Sequence, residues 1–223
     1  MISVPPNFRS TTPAVRVVTG LDLGQQQDYT ALTRIEWTPD RPRFDMPKPN
    51  QYAMPTLYRW PLQSKYLEIV GRLARYFNQP DTIGSMLVID HTGVGRPVYE
   101  QILSDLTRAN CSFTMLGVTI TGGHAVSNHA PGHWRVAKGV LVGVMRAVMG
   151  TGRLKAAPSE HSHTLIRELE TFKVKVSAVG NETFESWREK DHDDLVLATA
   201  LALWAAETID QGPDGETQFE RTR

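Results

Sequence analysis

Hydrophobic and polar positions follow two different periods along the chain, and the first segments have the short period of β-strands. Residues 15–23 and 29–37 are apolar runs rich in β-branched side chains, and the turn-like sequence GQQQD separates them. Two such runs joined by a short polar turn predict a β-hairpin. A proline-rich stretch then leads to a third predicted strand at residues 54–60.

A helical period comes next and then alternates with further strands. Between residues 64 and 79, apolar residues from Leu67 to Phe77 recur at steps of three and four, which predicts one buried face of a helix. Antiparallel strands followed by such alternation predict an α/β fold, a mixed sheet with helices on both faces. The remaining predicted elements are a strand (85–90), a helix (96–106), a strand (112–120), a glycine-rich loop (121–133), two helices (134–152 and 160–172), a hairpin (173–186) and a final helix (194–208).

Length and composition are those of one globular domain with polar ends. The 223 residues include 40% hydrophobic and 22% charged residues, which is ordinary for a soluble protein. Residues 1–14 are rich in Pro, Ser and Thr and are expected to be a flexible lead-in, and residues 210–223 a polar flexible tail. The domain itself is expected to span residues 15–209. It should not cross a membrane, because no apolar run reaches the ~20 residues that a bilayer requires.

Cysteine usage and net charge restrict the partners to be expected. Cys111 is the single cysteine, which excludes an internal disulfide and a multi-cysteine zinc site and fits a reducing compartment such as the cytoplasm. The 24 Lys and Arg residues balance 24 Asp and Glu residues. Binding to a nucleic acid would therefore depend on a local basic surface rather than on the field of the whole molecule.

Four aspartates occupy comparable places in the predicted elements. Asp22 lies near the end of the first strand, Asp90 ends the strand at 85–90, and Asp193 and Asp194 stand at the start of the last helix. Strand ends and helix starts at one edge of an α/β sheet converge in space, and ligands bind in such crevices. Carboxylates gathered there would repel one another, and a divalent cation would relieve the repulsion. Oxygen ligands without cysteine favour Mg²⁺ or Mn²⁺, and two such ions roughly 3.5–4 Å apart can hydrolyse a phosphodiester.

Each of these acids also has an ordinary structural interpretation. Asp22 can face solvent on the side of the strand opposite Leu21, and Asp90 can be a turn residue. One residue of the pair Asp193 and Asp194 can serve as the N-cap of the last helix. Capping requires only one of them, so the doubled acid favours a metal site, with different roles for two side chains that point about 100° apart.

Four segments in series carry a resemblance to a known family. They are VVTGLDLGQQQDYTALTRIEW, MLVIDHTGVGRPVYEQ, KGVLVGVMRAVMGTGRLK and REKDHDDLVLATALALW, which lie between residues 15 and 207. Together they resemble the nuclease domain of the large subunit of tailed-phage terminases, in the RNase H-like and Holliday-resolvase-like superfamily. The resemblance implies an RNase H-like fold and a two-metal endodeoxyribonuclease that cuts double-stranded DNA during genome packaging. Carried over by position, the acids that bind two Mg²⁺ or Mn²⁺ ions are Asp22, Asp90, Asp193 and Asp194.

The resemblance also implies partners and a place in the cell. Terminase large subunits join the nuclease to an ATPase motor, and they work with a portal and a small terminase subunit in the cytoplasm of the bacterial host. The loop G-x-x-x-x-G-K-[ST] does not occur here, so we do not expect this chain to hydrolyse ATP. The nuclease would be a separate domain or subunit encoded by a phage or prophage. The alternatives are a Holliday-junction resolvase-like nuclease and a non-catalytic docking module of the packaging motor with the same fold.

Basic residues near the acids are candidates for contacts with DNA phosphates. Two of them open the predicted helix after the glycine-rich loop, two alternate with valines in the predicted hairpin, and two flank the final acid cluster. Lysines and arginines in such places can hold a phosphate backbone without reading sequence, although a solvated helix face and an ordinary edge hairpin are the plain alternatives. The six candidates are Arg135, Lys138, Lys173, Lys175, Arg188 and Lys190.

Histidines complete the candidate chemistry. His91 directly follows Asp90 and could modify its surroundings, and His192 directly precedes Asp193 and could carry a proton or simply flank a helix cap. The histidines of the glycine-rich loop match no firm zinc-ligand spacing. The glycines of that loop favour a mobile segment that could close over a substrate.

Overall fold

The computed structural model describes residues 15–24, 28–39, 49–92, 95–178 and 193–209. The predicted lead-in (1–14) and tail (210–223) lie outside these residues. The described strands are β1 (Arg16–Asp22), β2 (Ala31–Trp37), β3 (Tyr52–Arg59), β4 (Ser85–Asp90), β5 (Phe113–Thr121), β6 (Val126–Ala130), β7 (His133–Ala137) and β8 (Leu154–Ala156). The described helices are α1 (Tyr66–Phe77), α2 (Gly95–Arg108), α3 (Lys138–Gly150), α4 (Glu160–Ala178) and α5 (Asp194–Thr208). Among the described helices, none is long and apolar enough to span a bilayer.

All eight described strands belong to one mixed sheet with the order β6-β7-β5-β4-β1-β2-β3-β8. The first three strands pair antiparallel, as the predicted hairpin requires. β1 then pairs parallel with β4, β4 with β5, and β5 with β7. Antiparallel strands followed by parallel ones, with helices on both faces, make an RNase H-like α/β fold and confirm the predicted fold class.

Two hydrophobic cores lie on opposite faces of the sheet. On one face, α1 and α2 cover a core that includes Leu21, Leu87 and Ile102. On the other face, α3, α4 and α5 cover a larger core. α5 is the central helix of that layer, because it packs against β1, β2, β4, α3 and α4.

The predicted glycine-rich loop is largely a β-hairpin, and this corrects the boundary of the next helix. β6 and β7 pair antiparallel, and β7 extends the sheet beside β5. Gly132 has a φ of 72° after Pro131, which is the Pro-Gly combination that a tight turn requires. α3 therefore begins at Lys138 rather than at residue 134, and Arg135 lies on β7.

The predicted hairpin at residues 173–186 is wrong in its first part. α4 continues to Ala178, so residues 173–178 are helical, and the remainder of that segment lies outside the described residues. Two lysines alternating with valines are too short a pattern to outweigh a helix that has already formed, because each added residue then gains a backbone hydrogen bond. Two smaller differences are β8, which the sequence did not predict, and Leu67, which is 78% exposed while Ile69 is buried.

Candidate active site

The register of two parallel strands places Asp22 beside Asp90. β1 and β4 are neighbours in the sheet, and these two residues are direct partners at the carboxyl ends of both strands. Both are buried, with 9% and 6% of their surfaces exposed. Residues 68 positions apart in the chain therefore meet at one edge of the sheet.

α5 brings the other two aspartates to the same place. The helix lies directly on β1 at Gly20, where a β-carbon would stand 1.9 Å from the carbonyl oxygen of Ala198. Only glycine permits this approach. A hydrogen bond of 3.0 Å between the hydroxyls of Thr33 and Thr199 joins α5 to β2 as well. The start of α5, with Asp193 as its N-cap residue and Asp194 as its first residue, is thereby fixed near the strand ends.

Burial and mutual repulsion raise the pKa values of two of these carboxyl groups, those of Asp22 and Asp194. The pKa of Asp22 is well above its ordinary value, first because the group is buried and then because Asp90, Asp194 and Asp193 carry like charges. Lys138 opposes the rise. The pKa of Asp194 is raised to about 7 by burial and by the charges of neighbouring aspartates. Among the described residues, the four acids thus form one electrostatic cluster whose mutual repulsion a bound cation would relieve.

Lys138 is one of two cations that the described residues place in this cluster, and Arg59, which lowers the pKa of Asp194, is the other. Lys138 begins α3, it is buried, and its Nζ lies 3.2 Å from Oδ2 of Asp193. The sequence suggested that this lysine contacts phosphate, whereas here it forms an ion pair with a candidate metal ligand. The ion pair does not test the phosphate contact, which stays a prediction.

Asp90 has the turn role that its position suggests, through one of its oxygens. Oδ1 accepts a hydrogen bond of 2.8 Å from the backbone N–H of Thr92 and another from the Thr92 hydroxyl. Oγ1 of Thr92 in turn accepts a hydrogen bond of 2.7 Å from the backbone N–H of Ile120 on β5. These contacts fix the orientation of the Asp90 carboxylate at the site.

The expected capping role of Asp193 or Asp194 is instead taken by a residue that the sequence did not suggest. Asp193 makes no side-chain cap hydrogen bond. Oε2 of Glu168, in α4, accepts hydrogen bonds of 3.0 and 3.3 Å from the backbone N–H groups of Leu195 and Val196. Its Oε1 accepts a hydrogen bond of 3.1 Å from Nη1 of Arg59. A signal was available, since Glu168 follows the buried Leu165 by three residues and thus puts a charge on the apolar stripe of α4.

Glu168 belongs electrostatically to the same cluster. It is buried, and burial together with the charge of Asp194 raises its pKa to about 7. The two backbone donors and Arg59 act in the opposite direction. Arg59 also stacks on Tyr29, with its guanidinium 4.0 Å from the ring centre.

The remaining predicted residues divide into those that the structure describes and those outside the described ranges. The ring of His91 packs against Tyr99 and His133, with centre separations of 5.8 and 5.6 Å, on the α2 side of the sheet. Arg135 is exposed on β7. Lys173 and Lys175 lie in α4, where only their backbone is described. The predicted residues outside the described ranges are Arg188, Lys190 and His192.

The side chains as placed do not form a ready metal cage. Within the described ranges, no group of three or more His, Cys, Asp or Glu side chains is arranged to hold an ion. The donor set is nevertheless of the right kind, since buried carboxylates are the ligands that Mg²⁺ and Mn²⁺ prefer. The carboxylates would have to turn toward a shared ion.

Comparison with known proteins identifies the architecture. No protein-family model matches the chain, and no curated protein matches its sequence. The large terminase nuclease from the thermophilic phage G20c matches with a TM-score of 0.50 and 19% identity, over 86% of this chain and 82% of that one. The Mn-soaked terminase nuclease domain of human cytomegalovirus matches with a TM-score of 0.53 and 10% identity, over 84% and 82%. The chain has the fold of terminase nucleases.

A viral resolvase resembles the chain more weakly. The fowlpox virus resolvase, solved with its Holliday junction substrate, covers 86% of this chain with a TM-score of 0.36 and 10% identity. At these identities the terminase nucleases establish the fold. Within that terminase-nuclease fold, the paired ends of β1 and β4 and the start of α5 are the places where this chain concentrates its buried acids.

Proposed function

We propose that the chain is a metal-dependent endonuclease that cleaves double-stranded DNA during phage genome packaging. The observation that supports this most directly is the pairing of Asp22 with Asp90 at the ends of two parallel strands, beside the aspartates that begin α5. The terminase-nuclease fold agrees with the proposal. An accumulation of buried, mutually repelling carboxylates costs stability, so it favours a functional role over a purely structural one.

In this proposal, Asp22, Asp90, Asp193 and Asp194 hold two Mg²⁺ or Mn²⁺ ions. Bound ions would activate the attacking water and stabilise the departing 3′ oxygen of the DNA strand. Asp22 and Asp90, on adjacent strands, provide the rigid side of the site, and the contacts of Thr92 orient Asp90. Asp193, whose side chain is 26% exposed, provides the accessible side.

The positive side chains would act on the DNA backbone. Lys138 is paired with Asp193, and once an ion neutralises that carboxylate its ammonium group could move to a phosphate. Arg135 is exposed on β7 and could hold the duplex farther from the scissile bond. Phosphate contacts by Lys173, Lys175, Arg188 and Lys190 remain predictions of the same kind.

The fold also suggests the proposed partners. A terminase nuclease acts with an ATPase motor, so we propose that this chain works with an ATPase domain or subunit, a portal and a small terminase subunit in the bacterial cytoplasm. Association with any of them would be tested by co-purification after co-expression with the neighbouring reading frames.

The proposal is tested by cleavage of supercoiled plasmid with Mn²⁺ or Mg²⁺. The parent protein should cut, and Asp22→Ala and Asp90→Asn should each reduce the rate by at least about 100-fold, because each removes a charge that would bind the ions. Glu68→Gln is the matched control, since Glu68 lies exposed in the first turn of α1. Low salt and a range of protein concentrations should be used, because an isolated nuclease can bind DNA weakly.

Two results would contradict the proposal. An inactive parent with every divalent ion tried would support the non-catalytic docking module, and equal activity of the aspartate variants would remove the site assignment. Linear duplex and a four-way junction should be compared in the same assay. Cleavage of the junction alone would favour a resolvase over a packaging nuclease.

A further inference from the structure

The N-terminus of α5 has an unusual cap. A helix begins with several backbone N–H groups that have no partner within the helix, and an aspartate at the N-cap position ordinarily accepts a hydrogen bond from one of them. Asp193 occupies that position and makes no such bond. Its Oδ2 faces Nζ of Lys138 instead, at 3.2 Å.

Glu168 accepts the first-turn hydrogen bonds that Asp193 does not accept. Its Oε2 receives the N–H groups of Leu195 and Val196 at 3.0 and 3.3 Å, in the first turn of α5. Its Oε1 is held by Arg59 at 3.1 Å, and its side chain is only 6% exposed. The carboxylate is therefore fixed from both ends, between β3 and α5, and water cannot easily replace it.

We propose that Glu168 is a positioning residue that caps α5 from α4, so that the carboxylate of Asp193 can turn to the cation of the active site instead of to the helix. The inference rests on the proposed function, because it assigns Glu168 a role toward the ions that the aspartates hold. Glu168 itself does not touch the ions. Without it, the unpaired first-turn N–H groups would attract the side chain of Asp193, the N-cap residue, and turn it away from the site.

The test measures Mn²⁺ binding by isothermal titration calorimetry, separately from cleavage. Glu168→Ala should bind Mn²⁺ at least about tenfold more weakly than the parent, as is typical when a residue that orients a metal ligand is lost. Glu168→Gln keeps an oxygen that can accept the two N–H groups, so it should stay within about threefold of the parent. Glu170→Gln is the matched control, because Glu170 is exposed two residues farther along the same helix. Far-UV circular dichroism at the assay temperature shows that each variant is folded.

A double-mutant cycle with Asp193→Asn distinguishes positioning from general damage. In the parent, Asp193→Asn should weaken Mn²⁺ binding by about tenfold, because a ligand charge is lost. In Glu168→Ala, where Asp193 has already turned to the helix, the same substitution should cost less than about threefold. Additive losses in the cycle would overturn the inference. A loss in Glu168→Gln as large as that in Glu168→Ala would overturn it too, since the charge and not the cap would then matter.

These outcomes separate the inference from the proposed function. If the parent binds Mn²⁺ and cuts DNA while Glu168→Ala binds the ion equally well, only the role of Glu168 is wrong. If the parent binds no Mn²⁺, the metal-dependent function fails, and the role of Glu168 toward the ion fails with it.

Discussion

The two helices α5 and α1 pack on opposite faces of the sheet under very different constraints. α5 buries 12 of its 15 residues, because it lies between the sheet and two other helices. α1 buries four of its 12 residues and leaves the rest of its surface to solvent. A helix enclosed in this way cannot shift without moving its neighbours, whereas a surface helix can adjust.

The difference explains why the acids are found at the start of α5. Residues on a fixed element keep their geometry, and the carboxylates of an active site require positions that repulsion between them would otherwise disturb. Asp194, the first residue of this enclosed helix, is 5% exposed, and Glu168 of α4 accepts a hydrogen bond from the backbone of the same turn. The enclosed helix thus holds the aspartates in place against the repulsion between their charges.

Gly20→Ala should produce the largest effect, because it breaks the contact between α5 and β1. The added β-carbon would stand 1.9 Å from the carbonyl oxygen of Ala198. The β-carbon is bonded directly to the backbone and the oxygen is part of it, so neither atom can move aside easily. We expect a loss of roughly 3 kcal/mol or more in the free energy of unfolding, at the upper end of overpacking effects. The measurement is denaturant unfolding followed by circular dichroism.

The same variant reports on the site. Where Gly20→Ala remains folded, α5 must move outward, so cleavage and Mn²⁺ binding should both fall. A variant with parental stability and parental Mn²⁺ affinity would show that α5 packs less closely against β1 than its contacts indicate.

The acid cluster predicts a pH dependence opposite to that of most carboxyl groups. The pKa of Asp194 rises from 3.8 to about 7 on folding, and that of Glu168 from 4.5 to about 7. Between those values the folded protein binds more protons at these two groups than the unfolded chain does, so their contribution to stability falls as pH rises and is lost above about 7. In EDTA, we expect a loss of about 1–2 kcal/mol, or on the order of 5 °C in Tm, between pH 6.5 and 8.

Thermal unfolding of Asp194→Asn is the control for this pH dependence. The variant lacks one of the titrating groups, so its Tm should decrease less over the same range. Starting at pH 6.5 limits the contribution of His133, whose lowered pKa reduces stability mainly at more acidic pH. A decrease in Tm as steep as that of the parent would show that Asp194 does not titrate near neutral pH.

Local patterns predicted much of the fold, and they failed where distant contacts decide. The strand at 85–90 and the helix at 194–208 have the predicted bounds, since each is a strong apolar run with clear ends. The β6–β7 hairpin was not predicted, because β6 is mostly polar and exposed and the pairing of β7 with β5 is a tertiary contact. Its Pro-Gly turn was the one local clue.

The candidate site divides in the same way. Strand ends and a helix start could be inferred from order along the chain, but the exact pairing of Asp22 with Asp90 depends on the register of two parallel strands. Glu168 was missed because its partners on α5 are 27 and 28 residues away in sequence. Neither relation has a period that a single sequence displays.

Gly71→Ala should have the smallest effect, and its sign is opposite to that of Gly20→Ala. Gly71 lies within α1, and a β-carbon there would meet Nη1 of Arg75 at 3.8 Å, an ordinary van der Waals distance. Alanine restricts the unfolded chain and favours the helix, so we expect a gain of up to about 1 kcal/mol, or about 3 °C in Tm. Cleavage and Mn²⁺ affinity should remain parental, because α1 and the acid cluster lie on opposite faces of the sheet. A destabilised Gly71→Ala variant would mean that α1 is as constrained as α5, and the contrast between the two helices would then not explain where the acids are placed.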